Sequence, residues 1–334
     1  MTFEEIMEEY AKSPSQRADE RTQREIADLH RNRAREKAPS GEEPGWRRAR
    51  RRPPRAPLPV PDAGAAEAAV NVGMVDFLFE NPLWGRFKDQ PSVKALLEEY
   101  PGMVTQVETS YCHYGYPYQK PSVFIGTLTN LRLRKPCPRN PCGYMKRDGA
   151  HPERSAECSI AQKNSLPPEL IDEIIQAWMD RRPSASAYLL IDVFSGWGSL
   201  EKRIEANKEE WPTLKTFAND WGQRDHTDAQ FDMSAESKLG PEHLVALAVW
   251  KHYGEHVDDV LATDGGVMAW LKKQNIAVLF HCSTPCRTYS TQAIKVHREV
   301  ATAIPKTEAA RHDDAMNEAL IRYFKEVVLA EVRR

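Results

Sequence analysis

YLLIDVFSGWGSL, residues 188–200, decides the fold class. An unbroken apolar run reaches Asp192, turns on Gly196 and Gly198, and restarts at Ser199 with apolar residues at helical spacing. A strand buried on both faces reads as a continuous apolar run, and a glycine turn from strand to helix lets backbone amides approach a ligand at the helix N-terminus. Asp192 and Phe194 fall at the strand end, and Ser199 is placed to cap the helix that buries Leu200 and Ile204. Residues 214–218 form the next predicted strand, ending in Asn219 and Asp220, where a carboxylate can accept hydrogen bonds from ribose hydroxyls. The turn therefore reads as a nucleotide-type cofactor loop, although a tight strand-to-helix turn without ligand fits the glycines alone.

Outward from this stretch, strands and helices alternate. Helices are predicted from Pro241 and over 266–274, a strand over 276–281, and a final helix over 307–332. Upstream, 74–80 reads as a buried strand whose pairing is ended by Pro82, 92–100 as a helix, and 104–111 and 122–127 as strands. PPELIDEIIQAWM, 167–179, reads as a helix with prolines at its start. The pattern predicts an α/β chain with a Rossmann-like, doubly wound sheet and a small irregular cysteine-rich lobe. Its predicted divisions are a disordered basic arm (1–70), a first half with the cysteine-rich loop (71–182), and a second half with the cofactor loop (183–334).

A second stretch carries chemistry. VLFHCSTPCRTYS, 278–290, runs from an apolar strand into a polar, partly cationic loop holding Cys286, a setting that favours thiolate over thiol. A thiolate adding to carbon 6 of a cytosine ring makes carbon 5 nucleophilic enough to take a methyl group from a sulfonium donor. Glu80, followed by Asn81 and Pro82, is a suitable acid for ring nitrogen 3 if burial raises its pKa. The alternative for Cys286 is a small buried hydrophobe, the role assigned to Cys282 within the strand.

Composition narrows the remaining classes. The chain has 334 residues with formal net charge -2, of which 41% are hydrophobic and 28% charged; mean hydropathy is -0.62. The cluster WRRARRRPPR, 46–55, is a candidate phosphate-binding arm, a nuclear address or a solvated linker. No run approaches the roughly 18 apolar residues of a membrane span, and MTFEEIMEEY does not resemble a secretory signal. The expected location is intracellular, nuclear in a eukaryote. Six cysteines do not make a disulfide scaffold at this length. Cys137, Cys142, His151 and Cys158 lie in KPCPRNPCGYMKRDGAHPERSAEC, 135–158, and are candidate ligands of a structural zinc, with Cys112 an alternative to Cys158; incidental reduced thiols fit the same loop.

Taken together, these stretches resemble the DNA cytosine-5 methyltransferase family, in its compact phage and mobile-element type. DVFSGWGS is similar to the family's S-adenosyl-L-methionine loop, STPCRTYS to its proline-cysteine loop, and ENP at Glu80 to the motif that holds the target cytosine. YGYPYQKPSVFIG, 114–126, resembles the segment that carries a base-orienting arginine, with Lys120 in its place. The resemblance implies Cys286, Glu80 and Lys120 as catalytic residues. It implies Asp192, Phe194, Ser195, Gly196, Gly198 and Asp220 around the cofactor, with Asp264 at the adenine and Asp232 its rival. DNA is the implied partner. RNA cytosine methylation and an inert nucleic-acid-binding remnant are the alternatives. Two departures stand out: Thr284 where the family has a second proline, and Lys120 without the planar fork of arginine.

The order also departs, because the segment with ENP precedes the cofactor loop. Joining Arg334 to the region near Val72 restores the family order, so the chain reads as a circular permutation, with 179–187 as the new link. A frame cut from tandem gene copies is the other origin.

Overall fold

The computed structural model describes residues 74–137, 142, 151, 158, 164–220, 227–230, 240–284, 288–289, 294–299 and 304–332. Contacts divide the chain between Val70 and Asn71, and every described residue lies on the C-terminal side. The basic cluster 46–55, Asp232 and Cys286 lie outside the described residues.

The strands are β1 (Val75–Pro82), β2 (Thr105–Ser110), β3 (Pro121–Gly126), β4 (Ala187–Asp192), β5 (Leu214–Ala218) and β6 (Ile276–Ser283). They form one sheet in the order β2-β3-β1-β6-β4-β5. β1, β6, β4 and β5 run parallel, while β3 is antiparallel to both β1 and β2. This is a mixed α/β sheet flanked by helices, compatible with a Rossmann-like fold. Both sequence halves contribute, since β1 pairs with β6 from Val75 to Glu80.

The helices are α1 (Pro91–Glu99), α2 (Pro168–Arg181), α3 (Ser199–Ala206), α4 (Pro241–Tyr253), α5 (Val257–Leu261), α6 (Gly266–Gln274), α7 (Ile294–His297), α8 (Glu308–Tyr323) and α9 (Ala330–Val332), with a π-helical stretch, Phe324–Leu329, between the last two. Alternation along the strands divides the core. Leu78, Leu190 and Leu279 join Ile171, Ile174 and Trp178 of α2 and Leu200 and Ile204 of α3. On the other face, Phe77 stacks on Phe324 at 4.3 Å and Phe280 meets the same ring edge-on. Two-sided burial explains why β4 and β6 are almost wholly apolar. No helix among the described residues is long and apolar enough to cross a membrane.

Three local expectations are corrected. Pro82 does not end the pairing of β1 with β3, because Pro82 still faces Ser122; only the pairing with β6 stops, at Glu80 and Ser283. A proline at the last strand position gives up an amide that no neighbour requires. Ser199 is not the cap of α3. Gly198, left-handed at φ 65°, takes that position, and Ser199 Oγ instead accepts a bond from the Leu166 amide. Finally, the predicted terminal helix is interrupted by the π-helical stretch, although Thr307 caps its start by accepting from the Ala310 amide.

Candidate functional site

In a parallel sheet, ligands collect at the carboxyl ends of the strands, where successive connections leave in opposite directions. Here β4 is followed by β5 on one side and then by β6 on the other, so the ends of β4 and β6 form this switch point. The glycine loop leaves β4 there. Gly196 and Gly198 both have positive φ, 54° and 65°, a backbone state that favours glycine. A Cβ on Gly196 would meet only the Phe194 carbonyl, at 3.8 Å, so the loop presents open backbone.

The loop is pinned from below. Asp220 accepts the Gly196 amide on its carboxylate, the Ser195 amide donates to Asn219 O, and Asn219 Nδ2 donates to Val193 O at 3.0 Å. Asp192 points into the fold, where its Oδ1 lies 3.0 Å from His281 Nδ1. Phe194 is half-buried and Ser195 buried. Asp264 is exposed in the turn before α6, and no recorded bond joins it to the glycine loop.

Glu80 lies at the carboxyl end of β1, opposite Ser283 of β6. It is buried at 6% exposure, yet all of its recorded bonds fall on Oε1. Tyr111 Oη and Ser122 Oγ each donate to that oxygen at 2.9 Å, and Lys120 Nζ stands 3.8 Å away. The same ammonium lies 4.5 Å above the Tyr111 ring, a cation–π contact that holds it in place. Oε2 accepts no bond from the described residues. Burial, then the charge of Glu80, pushes the Tyr111 hydroxyl well above its ordinary pKa, so it remains a donor to the carboxylate.

The strand leading to Cys286 ends beside Glu80. Asn81 Nδ2 donates to Thr284 Oγ1 at 2.7 Å, which gives Thr284 a role that proline could not fill, since proline has no hydroxyl. Beyond Cys286, Thr288 and Tyr289 are clamped. Fully buried Arg298 donates to Thr288 O at 3.0 Å and to Asp314 at 2.7 Å, while Tyr289 Oη donates to Asp314 and Thr288 Oγ1 to Asp313. Cys282 is fully buried, and burial, then the Asp192 charge, pushes its thiol well up. It stays a protonated packing residue.

The ligand atoms of Cys112, Cys137, Cys142 and His151 all lie within 4.8 Å of one another. The fourth member is thus Cys112; Cys158 is buried but outside the group. The short helical turn Tyr111–Tyr114 presents Cys112, and Cys137 is tied to this turn because its amide donates to Ser110 Oγ at 2.9 Å. Zn–S and Zn–N bonds of ~2.3 and ~2.0–2.1 Å at the tetrahedral angle set sulfur and nitrogen about 3.6 Å apart. Cys137 Sγ and His151 Nε2 are 3.7 Å apart. Burial, then His113, lowers the His151 pKa and favours the neutral imidazole that ligates metals. The group can hold a metal ion.

Sequence reasoning missed Tyr111, Ser122 and Arg298. Ser122 follows Lys120 by two residues at the entry to β3, so the alternation of an extended chain was the available signal. Nothing in the sequence signalled Arg298, which acts through a loop closed in space. No protein-family model and no curated protein matches this chain.

Proposed function

We propose that the protein methylates carbon 5 of cytosine in DNA with S-adenosyl-L-methionine as donor. The observation that carries this reading is the shared sheet edge: Glu80 and Lys120 stand beside the end of β6, three residues before Cys286, next to the glycine loop at the switch point. Glu80 Oε2, unclaimed by donors among the described residues, is available to ring nitrogen 3 and the exocyclic amino group. The Cys286 thiolate adds to carbon 6, and the electron pair moves to carbon 5. Bound at the glycine loop, the cofactor supplies an electrophilic methyl group. Loss of the carbon 5 proton to water then expels the thiolate and restores the ring. A base in a duplex must first be flipped out. Lys120, fixed over Tyr111, supports the base or an adjacent phosphate as a point charge.

In the same reading, the metal at Cys112, Cys137, Cys142 and His151 is zinc in a structural role, since three thiolates and an imidazole close its tetrahedron and leave no position for substrate.

Trapping tests the reaction. Duplex DNA carrying 5-fluorocytosine, which cannot release its carbon 5 substituent as a proton, is expected to form a denaturation-resistant adduct when S-adenosyl-L-methionine is present. The Cys286→Ser variant should form none. Cofactor binding by calorimetry without any adduct would remove the cytosine chemistry, and adducts only with the equivalent RNA would redirect the substrate.

A further inference from the structure

We infer that the metal site at Cys112, Cys137, Cys142 and His151 is a lock on the Glu80 pocket, holding Tyr111 where it orders Glu80 and Lys120. The consequence for catalysis rests on the cytosine reading above; the lock itself does not.

The connection is short and can be followed atom by atom. Cys112 is covalently next to Tyr111 in one helical turn. Tyr111 Oη donates to Glu80 Oε1 at 2.9 Å, its ring lies 4.5 Å below the Lys120 ammonium, and its amide donates to Lys120 O at 3.0 Å. One residue thus orders both charged groups. On the metal side, the Cys137 amide donates to Ser110 Oγ, one residue before Tyr111, and Thr109 Oγ1 donates to Arg134 O at 2.6 Å. The segment 134–137 that enters the metal group is therefore fastened at two points to the end of β2, the strand that leads into Cys112.

The remaining ligands, Cys142 and His151, are remote in sequence from this turn, and a four-ligand bond set is what draws them onto it. Three buried thiols without a cation offer one another only weak hydrogen bonds. A metal replaces these with strong bonds, so the position of the turn becomes conditional on the metal. Groups that orient a site from behind its contacting residues commonly change activity by about 10–100-fold when lost.

The full chain is the test object. Elemental analysis gives its metal content, and Co²⁺ exchange reports a Cys₃His set through sulfur-to-cobalt charge transfer. Hydrogen exchange is then compared for metal-loaded and chelated protein. Chelation is expected to speed exchange by at least about tenfold over 105–112 and 121–124, while 187–192 and 214–218 keep their protection. Fluorocytosine adduct formation should slow by about 10–100-fold with cofactor affinity unchanged, and added Zn²⁺ should restore it. Tyr111→Phe should bind Co²⁺ with an unaltered spectrum and react slowly whether loaded or not. Cys112→Ser should behave as the chelated protein does.

Uniform loss of protection across the sheet, unchanged exchange over 105–124, or a purified chain that takes up neither metal would each overturn the lock. If the loaded protein forms no adduct while exchange over 105–124 still follows the metal, the lock stands and the methylation reading falls.

Discussion

Glu201, in the first turn of α3, has a partly exposed stem, but neither carboxylate oxygen has accessible surface or a hydrogen-bond partner among the described residues. Burial, then the charge of Asp192, holds its pKa well above the ordinary 4.5, and the nearness of its own backbone amide offsets only part of this. The native state therefore keeps a proton that the unfolded chain releases. Stability contributed by this group is present at acid pH and is lost as pH rises from the ordinary carboxyl value through the raised native one. The slope is at most about 1.4 kcal/mol per pH unit. Glutamine copies the protonated acid without titrating. Glu201→Gln should match the parent in urea unfolding near pH 4 and exceed it increasingly toward pH 8; a difference independent of pH would refute the buried-proton account.

Between elements, the joint that matters most for chain order is the one from β1 to the end of α2. Asp76 of β1 accepts Arg181 Nε at 3.2 Å and Arg182 Nε at 2.8 Å, with Thr127 Oγ1 completing its shell at 2.9 Å. Asp76 is fully buried and Arg182 nearly so. Removing Asp76 leaves the buried Arg182 guanidinium without its carboxylate, so Asp76→Leu should lower the unfolding free energy by about 3–5 kcal/mol. Replacing Arg182 as well with Met should recover much of that loss; equal losses in the single and double variants would count against the pair. This joint also marks what was legible in the sequence. Residues 179–187 read as a loose link because proline, serine and arginine carry no periodicity, yet the Asp76 pair and the bond from Tyr188 Oη to Arg182 O make them an ordered corner. Two-sided burial wrote β1, β4 and β6 plainly as apolar runs. Strand order, the exchange of Cys158 for Cys112, and the support of Glu80 by Tyr111 and Ser122 depend on contacts between distant segments, which no local pattern records.

For the molecule as a whole, the C-terminal helical run occupies the place of a crossover between β6 and β1. These two strands are parallel neighbours, and such neighbours are normally joined by a helix passing over the sheet. α8 starts at the carboxyl edge, where Asp313 and Asp314 hold Thr288 and Tyr289. The run then passes Phe77 at Phe324 and ends with Glu331 paired to Lys272, near the start of β6. Val332 is thus brought toward the amino edge, from which β1 departs. Exchanging blocks 74–183 and 184–334 behind the unchanged N-terminal residues, with a short Gly-Ser linker from Arg334 to Met74, would convert this run into a covalent crossover. The cut falls between exposed Pro183 and Ser184 and is spanned by the Ala185 to Arg182 backbone bond, worth about 1 kcal/mol. The rearranged chain should unfold cooperatively, within about 1–3 kcal/mol of the parent, because the contacts of the core are kept while only chain order changes. Urea titration followed by circular dichroism measures this. A chain that collapses without a cooperative transition would mean that the C-terminal run does not bridge β6 and β1.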